Sequence, residues 1–192
     1  MRNIVRSGAV VAFAAVLAGC GDAVGPAKPV PAGSVSFAYT ADEAGSYVAA
    51  GAPLVNARGW ASAGTWAAAG RSARYPGTKV VVTGYTAAEG ARTGTLFAVS
   101  VPLNAAGTQV PIDVNCAAET CSGALLLAGV PPRVQDARPT RSCFVTAGVL
   151  HVARADAERV QGTFSGRGFC LDNPGTVGGG GTEFHIDGGA FD

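Results

Sequence analysis

Apolar and polar residues alternate at every second position in short stretches of this chain. The clearest case is Ser34–Thr40, where Val35, Phe37 and Tyr39 are separated by small or polar residues. A period of two places one set of side chains on one face of a β-strand. After residue 33 the sequence has no sustained 3.6-residue apolar period, so the pattern predicts β-structure rather than helices.

Seven further stretches have the composition or alternation of strands, and glycine-containing turns separate several of them. They are Ser46–Ala50, Lys79–Tyr85, Thr95–Val101, Ser122–Ala128, Val145–Ala153, Arg159–Phe169 and Glu183–Ala190. The alanine-rich stretch 61–69 is not predicted to be a helix, because glycines interrupt it. Trp60 and Trp66 have an even spacing, which suits one face of a strand.

Strands that follow one another without a crossover helix predict an all-β, antiparallel domain. We expect a β-sandwich of about 7–9 strands, with a β-barrel as the alternative. The sandwich is favoured because the predicted strands differ in length and because the loops at 102–121 and 129–142 are long.

The first 19 residues differ from the rest of the chain. Arg2 and Arg6 carry their only charges, and an apolar run over 9–18 follows, which is typical of a secretory signal peptide. The run is too short for a membrane-spanning helix, which needs about 20 apolar residues. We therefore predict that residues 1–19 are removed on export.

The end of this segment, LAGC at 17–20, resembles the lipobox of bacterial lipoproteins. The resemblance implies that Cys20 is acylated and becomes the first residue of the mature chain. The alternative is a signal peptide cut elsewhere, with Cys20 as an ordinary thiol. Gly21 rather than an aspartate follows, so we expect a lipid anchor in the bacterial cell envelope, with the outer membrane favoured over the inner one.

A proline-rich segment connects the predicted anchor to the predicted domain. Residues 21–32 contain three prolines and would span roughly 37 Å if they were extended at about 3.1 Å per residue. We therefore divide the chain into a signal peptide over 1–19, a lipidated cysteine and tether over 20–32, and a single β domain over 33–192.

Four cysteines remain once the first is assigned to lipid, and in an exported chain they imply two disulfides. A hairpin whose turn is centred between Asp156 and Ala157 pairs residues whose numbers sum to 313. The predicted bonds are therefore Cys143–Cys170, which has that sum, and by elimination Cys116–Cys121. Zinc binding is the alternative, but the C-x4-C and C-x26-C spacings lack the paired short spacings of common zinc modules.

One polar group in the sequence is a candidate for chemistry. Glu183, His185 and Asp187 alternate along the last predicted strand and share one face, where they could approach a metal ion or a substrate. The same alternation is typical of an ordinary solvated face opposite Phe184 and Ile186. A hydrolase or metal-dependent enzyme using these three residues is the alternative to a protein without enzymatic activity.

Other catalytic patterns are missing from the sequence. It contains no G-x-S-x-G motif, and the four glycines at 178–181 lack the Lys-Ser/Thr ending of a phosphate-binding loop. His151 could join the polar group only if the fold brought it there. We predict no catalytic residue, no bound metal and no cofactor, and a binding or assembly module as the function.

Charge and aromatic content narrow the expected partners. Charged residues make up 14% of the chain, and its net charge of +1 becomes −1 once Arg2 and Arg6 are removed, which argues against binding to nucleic acid. Aromatic side chains could form a binding face or pack in the core. These are Trp60, Trp66, Tyr47, Tyr75 and Tyr85. We expect the membrane as one partner, through the anchor, and a glycan, peptide or envelope protein as the ligand.

Four segments of the chain resemble uncharacterised single-domain bacterial lipoproteins. The segments are GSVSFAYT at 33–40, GVLHV at 148–152, RVQGTFSG at 159–166 and FHIDGGAFD at 184–192. The resemblance covers about half of the predicted mature chain. It implies a β-rich domain tethered to a membrane surface, and it brings no catalytic residues with it.

Overall fold

The computed structural model describes residues 33–52, 65–72, 74–75, 77–116, 119–131, 139–156, 159–172 and 181–192. These residues form ten β-strands and no helix, and none of them belongs to a helix that could cross a membrane. The strands are β1 (Gly33–Thr40), β2 (Ala44–Gly51), β3 (Trp66–Arg71), β4 (Lys79–Thr86), β5 (Gly94–Pro102), β6 (Thr108–Ile112), β7 (Ala124–Val130), β8 (Arg141–Ala155), β9 (Val160–Asp172) and β10 (Thr182–Phe191). The predicted signal peptide, Cys20 and the tether lie outside the described residues.

All ten strands belong to one antiparallel sheet. Nine follow the order β2-β1-β10-β9-β8-β7-β5-β4-β3, and β6 pairs with the C-terminal half of the long strand β8. The two outermost strands, β2 and β3, lie close together. A Cβ placed on Gly51, the last residue of β2, would be 4.0 Å from the carbonyl oxygen of Thr65, the residue before β3. The sheet therefore curls into a nearly closed, barrel-like domain.

The prediction of an all-β, antiparallel, disulfide-linked domain is confirmed. The single curled sheet corresponds to the barrel-like alternative of the two architectures that the sequence allowed. Two strands lie outside the eight predicted stretches. Only the even spacing of Trp60 and Trp66 indicated β3, and β6 lies inside the expected loop 102–121. It has only five residues and contains Pro111, which cannot donate a hydrogen bond to a neighbouring strand, so its sequence lacks the usual strand pattern.

Side chains that point into the curled sheet form the main core. Phe97 of β5 is fully buried and stacks on Phe164 of β9, with ring centroids 5.2 Å apart. The ring of Phe37 in β1 lies 4.7 Å from that of Phe97. Because β5 is far from β1 and β9 in the strand order, these three rings hold opposite walls of the sheet together.

The outer face of one half of the sheet is also buried, in a second cluster. Every residue of β4 except its last is buried, so this strand is covered on both faces. On the outer face Trp66 stacks on Tyr85 at 5.8 Å, and the Tyr85 hydroxyl donates a hydrogen bond to the Val130 carbonyl at 3.1 Å. The outer face of β8, β9, β10, β1 and β2, by contrast, carries many exposed side chains.

The β8–β9 hairpin contains the longest ladder in the sheet. Cys143 pairs with Cys170 in it, with their Cα atoms 3.9 Å apart, and they form the predicted disulfide. Next to the turn, however, Ala155 pairs with Val160, so the turn is centred one residue later than predicted. Two bulges in β8 make up the difference. The cysteine pairing is thus confirmed, with a turn centre one residue away from the predicted one.

One of these bulges requires a glycine on the opposite strand. Val145 pairs with Gly168, and the register shifts between Val145 and Ala147. A Cβ on Gly168 would overlap the Phe144 carbonyl oxygen, a backbone atom with no freedom to move aside. This close approach lets β8 bend without leaving β9.

Candidate functional site

The structure places the predicted polar group on the outer face of β10. Phe184 and Ile186 point into the core, and Glu183 and His185 point away from it. The His185 Nε2 atom lies 3.7 Å from the Glu183 carboxylate, and their side chains are 45% and 92% exposed. Asp187 is exposed at the bulge that follows Ile186. The strand thus brings two of the three side chains together, on a face that is open to solvent.

His151 does not join this group. It lies on β8 opposite Thr163 of β9, whereas His185 pairs with Arg167 of β9. Thr163 and Arg167 are four residues apart on the same strand, which corresponds to about 13 Å. Within the described part of the chain, no three His, Cys, Asp or Glu side chains are arranged to hold a metal ion.

A shallow cleft of about 430 Å³ lies beside His151, where β1, β8, β9 and β10 meet. Gly162 and Phe191 contribute to its lining, and these two residues face each other across β9 and β10. Its polar side chains are those of Ser34, His151, Gln161, Thr163 and Asp192. They come from β1, from the β8–β9 hairpin and from the residue after β10, so no single local motif could have predicted this cleft.

One wall of the cleft is fixed in place. The Arg159 guanidinium donates hydrogen bonds to the Asp192 carboxylate from both Nε and Nη2. Those bonds hold the pKa of Asp192 below its usual range. The backbone amides of Ser34 and Asp192 also donate to each other's carbonyl oxygens, at 2.7 and 3.0 Å. These contacts fix one wall of the cleft, and its carboxylate already has a cationic partner.

The surface around the cleft is polar, and its charged side chains form ion pairs: Arg159 with Asp192, and Arg154, opposite the lining residue Gln161, with Asp156. Exposed side chains on β1 and β9 in or near it include several hydroxyls, from Ser34, Ser36, Thr163 and Ser165. Hydroxyl groups both donate and accept hydrogen bonds. The side-chain amide of a glutamine and a neutral imidazole each also contain a donor and an acceptor. This arrangement suits a neutral ligand rich in hydrogen-bonding groups better than a charged polymer.

The aromatic residues proposed as a binding face serve largely as core. Tyr47, Trp66 and Tyr85 are buried, and burial raises the pKa of the Tyr47 hydroxyl. Tyr75 is half-buried, and Trp60 lies outside the described residues. The alternative interpretation, core packing, holds for the three buried rings.

The structure also reveals a buried lysine that sequence reasoning missed. Lys79, at the start of β4, is only 2% exposed. Its Nζ donates to the Cys121 carbonyl at 2.6 Å, lies 3.4 Å from the Cys116 sulfur and sits 5.0 Å from the centre of the Tyr75 ring. Burial lowers the pKa of Lys79. A lysine at the first position of an apolar strand is a common sequence pattern, so only the folded structure shows that Lys79 is buried beside a disulfide.

Comparisons with protein-family models, with curated proteins and with solved structures found no match for this chain. The fold and the cleft define a class instead: an antiparallel β domain with two disulfides and an open polar cleft on its outer face, next to an ion pair.

Proposed function

We propose that the protein is a lipid-anchored lipoprotein of the bacterial cell envelope, and that its β domain is a non-enzymatic binding module. The cleft beside His151 is the observation that carries the proposal. It offers hydroxyl, amide and imidazole groups on a rigid sheet, next to a carboxylate that is already paired. A neutral glycan presents the complementary pattern of hydroxyl and amide groups, and it is the ligand class we favour over a peptide or an envelope protein.

The anchor is supported by the N-terminal sequence and by the disulfides. A positive start, a short apolar run and a cysteine after small residues together make the lipobox pattern at 17–20. Two disulfides in one small domain are typical of an oxidising compartment outside the cytoplasm. Ser34, at one wall of the cleft, follows directly on the tether, so the cleft would lie at the tethered end of the domain.

Replacing the anchor residue tests the localisation. We expect Cys20→Ala to move the protein from the membrane fraction to the soluble fraction and to abolish labelling by a radioactive fatty acid, since two or more acyl chains are needed for stable anchoring. The control is Cys116→Ala/Cys121→Ala, which removes the same type of side chain from the domain and should leave the membrane fraction unchanged. An unaltered membrane fraction for Cys20→Ala would refute the anchor.

The two histidines of the chain test the cleft. Soluble oligomers of N-acetylglucosamine serve as the probe, and the imidazole NMR signals of His151 and His185 report where they bind. We expect the His151 signals alone to shift, and His151→Ala to weaken binding about tenfold, as for the loss of one or two hydrogen bonds of about 1 kcal/mol each.

His185→Ala is the matched control, since it is on the same outer face but away from the cleft. Equal effects of the two substitutions, or a titration that leaves the His151 signals unchanged, would count against the proposed ligand site.

A further inference from the structure

The two disulfides of the domain lie in different environments. Cys143 and Cys170 are 4% and 2% exposed and are enclosed in the core between β8 and β9. Cys116 and Cys121 are only five residues apart and half-buried. Asn115 and Thr120 next to them are exposed, whereas Ser122 on the other side of Cys121 is buried. The second bond therefore lies closer to the surface than the first.

Lys79 lies beside a sulfur of the Cys116–Cys121 bond. Its ammonium lies 3.4 Å from the Cys116 sulfur and donates a hydrogen bond to the Cys121 backbone carbonyl at 2.6 Å. Two charged side chains act on this ammonium. The positive charge of Arg74 disfavours the charged form of Lys79, and the negative charge of Glu119 stabilises it. A cation beside a cysteine sulfur stabilises its thiolate, and a more stable thiolate is a better leaving group in disulfide exchange.

We propose that Cys116–Cys121 is a thiol–disulfide exchange site, in which an incoming dithiol attacks Cys121 and Lys79 receives the departing Cys116 thiolate. The attacking thiolate forms a bond to the Cys121 sulfur, and the electron pair of the broken S–S bond leaves on Cys116. The second thiol of the partner then attacks its own mixed disulfide and releases Cys121, which takes up a proton. The partner is oxidised to a disulfide, and this bond is reduced to two thiols.

The domain is built to keep its fold when this bond opens. On either side of the loop, the Asp113 amide donates to the Ser122 carbonyl and the Ser122 amide to the Pro111 carbonyl, both at 2.9 Å. The buried Ser122 hydroxyl donates to the Ser100 carbonyl at 2.5 Å, and the Gly123 amide donates to the Ser100 hydroxyl at 2.8 Å. Reduction therefore releases a surface loop while both of its ends stay fixed to β5 and β6.

The rates of reduction of the two bonds test the proposal. Dithiothreitol is added to the folded, oxidised protein, newly formed thiols are alkylated at set times, and each cysteine is quantified by mass spectrometry. We expect Cys116–Cys121 to open at least tenfold faster than Cys143–Cys170. Lys79→Gln should slow the opening of Cys116–Cys121 about three- to tenfold, and Lys79→Arg, which keeps the charge, should slow it less.

A monothiol identifies the sulfur that is attacked. With glutathione as the probe, we expect the mixed disulfide to accumulate on Cys121. Trapping on Cys116, an unchanged rate in Lys79→Gln, or earlier opening of Cys143–Cys170 would overturn the proposal. Unfolding of Lys79→Gln would be recognised, because it would speed the reduction of both bonds. The proposal instead requires the reduction of Cys116–Cys121 to slow and that of Cys143–Cys170 to stay constant.

Discussion

Phe97→Ala is expected to lower the free energy of unfolding by about 3–5 kcal/mol, a large part of the total stability of a domain of this size. The Phe97 ring is fully buried and touches rings from two opposite strands, at 4.7 Å from Phe37 and 5.2 Å from Phe164. Truncation removes those contacts and leaves a cavity that a rigid sheet cannot close. Urea unfolding followed by tryptophan fluorescence measures the loss.

Phe169→Ala is the matched control for this substitution. Phe169 is also in the sheet and packs near the ring of Phe144, at 5.8 Å between ring centroids, but it is only half-buried. Its truncation should cost less than half as much as that of Phe97, because part of the new surface is already in contact with water. Equal losses for the two variants would mean that Phe97 does not connect the two walls of the core.

How well each strand could be predicted depended on how many of its faces are buried. β1 has one buried face, so its alternation appears directly in Val35 and Phe37, and its predicted range differs from the observed one by a single residue. β4 is buried on both faces, so its valines predicted a strand but not which side each residue occupies. The apolar outer cluster around Trp66 and Tyr85 could therefore not be predicted from the sequence.

The candidate sites were harder to predict because they depend on contacts across the sheet. The cleft beside His151 brings Ser34 close to residues more than 100 positions away in sequence. Lys79 and Cys116 likewise meet only because of how β4, β5 and the loop after β6 are arranged. Glu183 and His185 could be placed on one face from their spacing alone, since a strand alternates its side chains locally.

Removing the core disulfide has the second large expected effect. We expect Cys143→Ala/Cys170→Ala to lower the free energy of unfolding by about 3–4 kcal/mol, whereas Cys116→Ala/Cys121→Ala should lower it by about 2 kcal/mol. The cysteines of the first bond are 27 residues apart and those of the second are 5 apart. A longer closed loop restricts the unfolded chain more, so its loss destabilises the native state more. Parallel urea titrations of the two double variants measure both losses.

Besides closing a longer loop, the core bond contributes to strand register and to core packing. It joins β8 to β9 close to the bulge between Val145 and Ala147, where one strand has an extra residue and the register could slip. The cystine also fills part of the core, so two alanines would leave a cavity as well as a longer free chain. If both double variants lost the same stability, the longer loop and the core packing of Cys143–Cys170 would add nothing to what a short surface bond contributes. A loss well above 4 kcal/mol would instead indicate that the cavity or the register adds to loop closure. Amide hydrogen exchange separates the two, because exchange in β8 should rise on both sides of the bulge only if the bond fixes the register.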